Sequence, residues 1–381
     1  MTSSAQERLD ILQVTEACGA GVRRHLELIL PALQERGLRC GLLAFSGRSD
    51  SEFAALRERL LASGSPVEFL ELPAGLSVSA LWRARSLLRG MLRRYRPRCL
   101  HLQAGWAGIL GRLLFELPAE TRLLYSPHAF GFHAKQPLWR RILLPRLEKA
   151  LSSKTDAYVL VGEAELEDAE KLALPKNKLF LAENGLPEDF ARQLLPREEA
   201  RRQLGIALAE RAVLLPCRLA WQKGLDLLLE ALAKTQSQHP APVLYLCGDG
   251  PEKNFLQALA DELGVAESLR FHGNIPVLWQ KLLAFDWVIL PSRYEGRSYA
   301  LLESLAAGLP LLASDISANR ISDQILTFQA GSSDSLAARL PELFMRKTGQ
   351  AQTLPLTTLA SQIEQLLLAY FPGEKQVAAE W

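Results

Sequence analysis

No apolar run in this chain of 381 residues reaches the roughly 18–20 residues that span a bilayer. The first ten residues, from Met1 to Asp10, lack the basic-then-apolar layout of a secretion signal. Both absences lead to the expectation of a cytoplasmic protein. Cysteine is scarce: Cys18, Cys40, Cys99, Cys217 and Cys247 are widely spaced and form no C-x-x-C pair. That spacing argues against a disulfide framework or a zinc site and for inert thiols. No G-x-G-x-x-G follows the first apolar run, which disfavours a nicotinamide-dependent oxidoreductase. No Asp-x-Asp occurs either, so the sequence offers no paired-carboxylate seat for a divalent cation on a diphosphate. No metal and no cofactor are expected.

What is present is the mix of a globular protein, 48% hydrophobic and 23% charged. The length fits two domains of about 150–200 residues each. The formal net charge of +2 gives no reason to expect a nucleic-acid partner, but it conceals an asymmetry. Residues 1–196 carry five more basic than acidic side chains, and the remainder carries three more acidic than basic. Much of the excess lies in the stretch from Trp82 to Arg98 (WRARSLLRGMLRRYRPR), with seven arginines and no acid. Leu81, Leu88, Met91, Leu92 and Tyr95 recur there at helical spacing, with Arg85, Arg89, Arg93 and Arg96 on another face. Such a helix either packs its stripe on a sheet with solvated arginines or lies on anionic lipid headgroups. The segment from Trp139 to Lys149 (WRRILLPRLEK) has similar character.

Short β-rich runs alternate with helical patterns, which argues for parallel sheets covered on both faces. Strands are expected near residues 10–14, 41–45, 67–72, 99–103, 122–126, 157–161 and 178–182. After a Gly/Pro-marked pause at 184–197 the rhythm restarts, with strands near 213–216, 243–247, 268–272, 287–291 and 309–313. The division is therefore expected as domains 1–196 and 197–381, with a last helix near 359–370 whose docking site the pattern does not give. In open parallel sheets ligands bind beyond the carboxyl ends of the strands.

Two stretches carry chemistry. In PSRYEGRSYALLESLAAGLPLLASD, Glu295 and Glu303 bracket a glycine-containing loop and the first turns of a helix. Gly296, Arg297, Ser298 and Tyr299 would bring backbone N–H groups to that helix start, a natural seat for a diphosphate. Glu303 would accept both hydroxyls of a ribose, and Glu295, before the helix, would lie nearer a sugar. In LLPCRLAWQKGLDLLLEAL, Arg218 and Lys223 sit between a strand and a helix. Two fixed cations there would stabilise the charge that develops on a departing nucleoside diphosphate.

Together, Arg-x4-Lys-Gly after a strand, Glu-x7-Glu later, the turn from Cys18 to Val22 and Asn184-Gly185 resemble retaining glycosyltransferases of the GT-B fold, family 4 type. The resemblance runs from Asp10 to about Asp315. It implies two facing Rossmann-like domains with a cleft between them, an acceptor-side domain first and a nucleotide-sugar donor domain second. Carried over to this sequence, Arg218 and Lys223 bind the donor diphosphate, Glu303 holds the ribose and Glu295 approaches the sugar. Gly19 and Gly21 let the first loop come close to the ligand. His128, in YSPHAFGF, matches the family's histidine against the transferred sugar. The stretches ACGAGVRRHLELILPALQERG and SPHAF are similar to members that build exopolysaccharide or O-antigen. Gly248-Asp249-Gly250 resembles the family's turn after its next strand.

The sequence departs from the family pattern at four places. Ala20 interrupts the usual Gly-Gly, and Ser298 stands where Pro is common. The run from Ile316 to Arg320 replaces a Gly-Gly-acid loop, and His101-Leu102-Gln103 stands where relatives carry a His-Ser-rich segment. The resemblance implies transfer of a sugar from a UDP- or GDP-sugar to a glycan or lipid-linked acceptor, with retention and without metal. It would occur in the cytoplasm or at the inner face of the membrane. Two alternatives stay open: a nucleotide-sugar-binding protein with degenerate catalysis, and a nucleotide-sugar epimerase.

Overall fold

The computed structural model describes residues 8–46, 49–72, 78–113, 117–235, 242–347 and 356–373. Two compact units divide the chain: Met1–Gly185 with Thr357–Trp381, and Leu186–Leu356.

The first unit is built on seven parallel strands: β1 (Ile11–Thr15), β2 (Cys40–Ser46), β3 (Val67–Glu71), β4 (Cys99–Gln103), β5 (Arg122–Ser126), β6 (Ala157–Leu160) and β7 (Leu179–Leu181). Their spatial order is β3-β2-β1-β4-β5-β6-β7. Helices α1 (Ala20–Glu35), α2 (Ser51–Ala62), α3 (Val78–Tyr95), α4 (Gly105–Leu113), α5 (Leu138–Leu151) and α6 (Glu163–Lys171) alternate with them. Every residue of β1, β2 and β4 is buried, as expected for central strands covered on both faces. One face packs Leu26, Ile29 and Leu33 of α1 with Phe53 and Leu56 of α2. The other packs Leu88, Met91 and Leu92 of α3 with Leu12, Leu43, Leu100 and Leu102. The arginine-rich helix thus turns its apolar stripe inward, although the side chain of Leu81 lies outside the described residues.

The second unit has six parallel strands in the order β10-β9-β8-β11-β12-β13. They are β8 (Ala212–Pro216), β9 (Val243–Cys247), β10 (Leu269–Gly273), β11 (Trp287–Leu290), β12 (Leu311–Ser314) and β13 (Leu326–Phe328). Its helices are α7 (Arg197–Leu204), α8 (Leu225–Thr235), α9 (Lys253–Glu262), α10 (Tyr299–Ala306) and α11 (Ser333–Met345). In both sheets the strand order reverses at one place, between β1 and β4 and between β8 and β11. There the crossover helices change faces and leave the loop ends open to a ligand.

The last helix, α12 (Leu359–Tyr370), belongs to the first unit. It buries Ile363, Leu366 and Tyr370 in the core that α1 and α2 share. The second unit therefore runs from Leu186 to Leu356 instead of 197–381. The physical reason is the apolar stripe of α12, which completes a face that α1 and α2 leave partly uncovered.

Candidate functional site

In the second unit the two sequence motifs meet at the point where the strand order reverses. Arg218 and Lys223 follow β8, and Glu295 follows its neighbour β11. Lys223 Nζ donates to Glu295 Oε1, forming an ion pair in which both side chains are largely buried. Burial opposes the charge on Lys223, but the Glu295 carboxylate and the Cys217 sulfur outweigh it. The lysine stands above its ordinary range and stays protonated. Ser292 Oγ donates to the same Glu295 oxygen at 2.8 Å, and Gln222 Nε2 lies 3.4 Å from the other.

Backbone geometry makes this meeting compulsory. Gly224 has φ +64°, and a Cβ there would stand 2.1 Å from the Pro291 carbonyl oxygen. Only glycine lets the loop after β8 lie so close to the end of β11. Arg293 then fastens the two loops: its guanidinium holds Asp226 at 2.8 and 2.7 Å, donates to Trp221 O at 2.7 Å and stacks over the Trp221 ring. Arg218 is exposed on the same loop. Gly248 is structural in the same sense, since a Cβ would meet the Cys217 carbonyl at 2.1 Å. Sequence reasoning missed Gln222, Asp226, Ser292 and Arg293. The signal available for them was their closeness in sequence to Lys223 and Glu295.

Gly296 is buried, and Arg297 and Ser298 are half-buried, immediately before α10. Ser298 is the N-cap residue, and its side chain makes no capping hydrogen bond. Its φ of −74° and ψ of 125° present the helix start without that hydroxyl bound to it. Tyr299 opens the helix, buried, and Glu303 sits half-buried one turn further on, between buried Leu301, Leu302 and Leu305. In the altered loop after β12, Asn319 is buried and donates to Ser314 O at 2.9 Å, while Arg320 pairs with Asp315 at 2.7 Å.

In the first unit, Gly19 is the N-cap of α1 and Gly21 lies in its first turn. Neither needs a left-handed backbone; the positive φ of +52° falls on Ala20. A Cβ on Gly21 would meet nothing within 4 Å, so packing inside the protein does not demand that glycine. Glu16, after β1, accepts from the N–H groups of Trp106 and Ala107 at 2.8 Å each, and so caps α4 across the reversal point. Burial raises its pKa while those N–H groups pull it down.

His128 lies just beyond β5 with φ +50°, followed by Ala129 at +77°. Left-handed backbone at two non-glycine residues in succession is strained and needs support. Glu165 of α6 supplies it, accepting from Ala129 N at 2.5 Å and from Val161 N at 2.9 Å. Burial lifts Glu165 to a pKa of about 7 against those two bonds. His128 Nε2 lies 2.5 Å from Gln103 Oε1, and its ring meets that of His25 edge-on at 4.9 Å. Burial first, then His25 and His101, hold His128 well below the usual histidine range, so it is neutral near pH 7. Among the described residues, no group of three or more His, Cys, Asp or Glu side chains is placed to hold a metal ion. None of the described helices is long and apolar enough to cross a membrane.

Known proteins resemble this chain in sequence and in fold. Residues 20–185 match the glycosyl transferase 4-like domain, and residues 196–344 match the glycosyl transferases group 1 family. The chain is 26% identical over 277 residues to the protein designated glycosyltransferase EpsD of Bacillus subtilis, a match covering 69% of this chain and 73% of that one. Among solved structures, Anabaena HepE in complex with UDP and glucose superposes with a TM-score of 0.75 at 18% identity, over 94% of this chain and 98% of HepE. The lipopolysaccharide outer core galactosyltransferase WaaB superposes with a TM-score of 0.62 at 16% identity, over 95% of this chain and 99% of WaaB. With two domain matches in the order the fold requires and two parallel sheets of the corresponding topology, the chain belongs to the group 1 glycosyltransferases and has the GT-B fold.

Proposed function

We propose that this enzyme transfers a sugar from a UDP- or GDP-sugar to a hydroxyl of a glycan or lipid-linked acceptor, with retention at the anomeric carbon and without a metal ion. The observation that carries the proposal is the ion pair of Lys223 with Glu295 where the second sheet's strand order reverses. A diphosphate entering there competes with Glu295 for Lys223 Nζ. Lys223 and Arg218 then neutralise the β-phosphate as the bond from the anomeric carbon to its oxygen breaks and the electron pair moves to phosphate. The acceptor oxygen attacks the face the phosphate is leaving, and its proton passes to a phosphate oxygen. Glu303 holds the ribose hydroxyls, the N–H groups from Gly296 to Tyr299 receive phosphate oxygens, and Gly19 and Gly21 give the first loop close approach. Glu295, once released from Lys223, and His128 orient the transferred sugar.

Two considerations support a role in cell-surface polysaccharide or lipopolysaccharide synthesis. One is the likeness of the stretches around Cys18 and His128 to exopolysaccharide and O-antigen enzymes, and the other is the fold shared with WaaB. Such acceptors lie at membranes, and we place the protein at the inner face of the cytoplasmic membrane, in contact with anionic lipid. The arginine-rich stretch from Trp82 to Arg98 supplies charge to that contact but not an apolar face, because its stripe is buried. The apolar face is on α5.

The transfer reaction is tested by incubating UDP- and GDP-sugars with a lipid-linked acceptor in EDTA and reading the product anomer by NMR. Wild type should give the donor's anomeric configuration. Lys223→Ala should lower turnover of the folded protein by about 10²–10³-fold, the worth of one preorganised charge at a developing anion. Unchanged turnover in that variant would contradict the assignment.

A further inference from the structure

The central strands of the first unit carry polar side chains in a sheet covered on both faces. Gln13 of β1 and His101 and Gln103 of β4 are each 0% exposed. Such groups must find partners within the protein, and these find them in one connected network, in which Gln103 Nε2 also lies 3.3 Å from His101 Nδ1. Its direction follows from its far end. The Val159 carbonyl can only accept, so Ser126 Oγ donates to it at 2.7 Å. Ser126 Oγ then accepts from His101 Nε2 at 2.9 Å, which places the ring proton on Nε2. Burial holds His101 well below the usual histidine range, so its Nδ1 is a lone pair. Tyr370 OH must therefore donate to it, at 2.7 Å.

From Tyr370 the chain continues to the site. The phenol oxygen accepts from Gln13 Nε2 at 3.0 Å, and Gln13 Oε1 accepts from Gln103 Nε2 at 2.9 Å. Both amides are now oriented, and Gln103 turns its carbonyl oxygen to His128 Nε2 at 2.5 Å. An acceptor at that place requires the proton of His128 on Nε2. We propose that Tyr370, on the helix returning from the far end of the sequence, is a positioning residue that fixes His128 as the Nε2–H tautomer and leaves Nδ1 as the ring's acceptor. The partner this selects is a hydrogen-bond donor, a sugar hydroxyl, and this last step rests on the proposed role of His128.

Without the Tyr370 hydroxyl the relay loses its fixed direction. Gln13 then has no acceptor for its N–H and its amide can reverse; Gln103 keeps only the longer 3.3 Å contact from Nε2 to His101 Nδ1, so part of the molecules can present its N–H instead of oxygen to His128. The mixed tautomers that follow would spoil the contact in part of the molecules. Tyr370→Phe keeps the ring in the core and removes only the oxygen.

Nitrogen-15 NMR of histidine-labelled protein, with His128 assigned through His128→Ala, reads the tautomer directly. Wild type should show protonated Nε2 and unprotonated Nδ1 at His128, and Tyr370→Phe should add the Nδ1–H form. Tyr370→Phe should also lower kcat/KM for transfer roughly two- to tenfold, the worth of one hydrogen bond, with UDP and GDP affinities unchanged. A proton on Nδ1 in wild type, or an unaltered tautomer in Tyr370→Phe, overturns the proposal whatever the activity does. Full transfer activity in His128→Ala would instead remove the sugar contact of His128 and leave the tautomer result to stand by itself.

Discussion

His25 shows how a single buried side chain ties this fold to pH. It is fully buried on α1, with Nδ1 3.1 Å from Asn184 Oδ1, and burial lowers its pKa to about 4, only partly opposed by Asn184. Its ordinary value is 6.5. Above pH 6.5 the residue is neutral in both folded and unfolded chains and contributes no pH dependence. As the pH falls from 6.5 to 4 the unfolded chain takes up the proton first, so stability falls by about 3 kcal/mol across that window. His101 and His128 shift in the same direction and add to the loss. Denaturant melts between pH 7 and 4 should show this decline, and His25→Gln should make it shallower. An identical pH profile in the variant would mean that His25 does not carry the linkage.

At the scale of elements, α5 is the helix whose surface asks for an explanation. Leu138, Trp139, Ile142 and Leu143 are 69%, 58%, 45% and 50% exposed, and Arg140, Arg141 and Arg146 lie among them. Apolar tips amid cations suit an anionic bilayer surface, where each basic residue adds about 1 kcal/mol of attraction. Flotation with phosphatidylglycerol-containing vesicles should carry wild type upward, and Trp139→Glu with Leu143→Glu should weaken binding at least tenfold. Equal flotation of the two proteins, or no preference over neutral vesicles, would remove α5 from this role.

Element by element, much of the fold was legible because buried parallel strands are short apolar runs separated by helix-period patterns. Twelve of the strands were read in place, and β13 was passed over. Helix α11 was also passed over, although Ser332 caps it and Leu336, Leu340 and Leu343 mark its buried stripe. The amphipathic pattern of α12 was read correctly, but such a pattern states only that one face must be covered and not by which unit. The same limit hid the partners at the site. Arg-x4-Lys and Glu-x7-Glu are visible along the chain, whereas Ser292, Gln222 and Arg293 act because β8 and β11 are neighbours, a fact of sheet order. The relay from Tyr370 to His128 joins residues more than 240 positions apart, beyond any local pattern.

For the whole molecule, each of the two doubly covered sheets presents loops at one reversal point, and in the second unit the loops that carry Lys223 and Glu295 meet there. The second unit places Lys223 against Glu295 with Glu303 one turn into α10, and the first unit orients His128 through a buried polar chain. In the proposed reaction the second unit binds a nucleotide diphosphate through Lys223 and the start of α10, with Glu303 on the ribose. The most direct test is a thermal-shift titration of UDP, GDP, ADP and dTDP in EDTA, on wild type and Glu303→Ala. One nucleotide series should stabilise wild type, and the variant should lose about 1–3 kcal/mol of that affinity, the worth of charge-assisted bonds to the ribose. No stabilisation of wild type by any of the four, or equal stabilisation of the variant, would contradict the account.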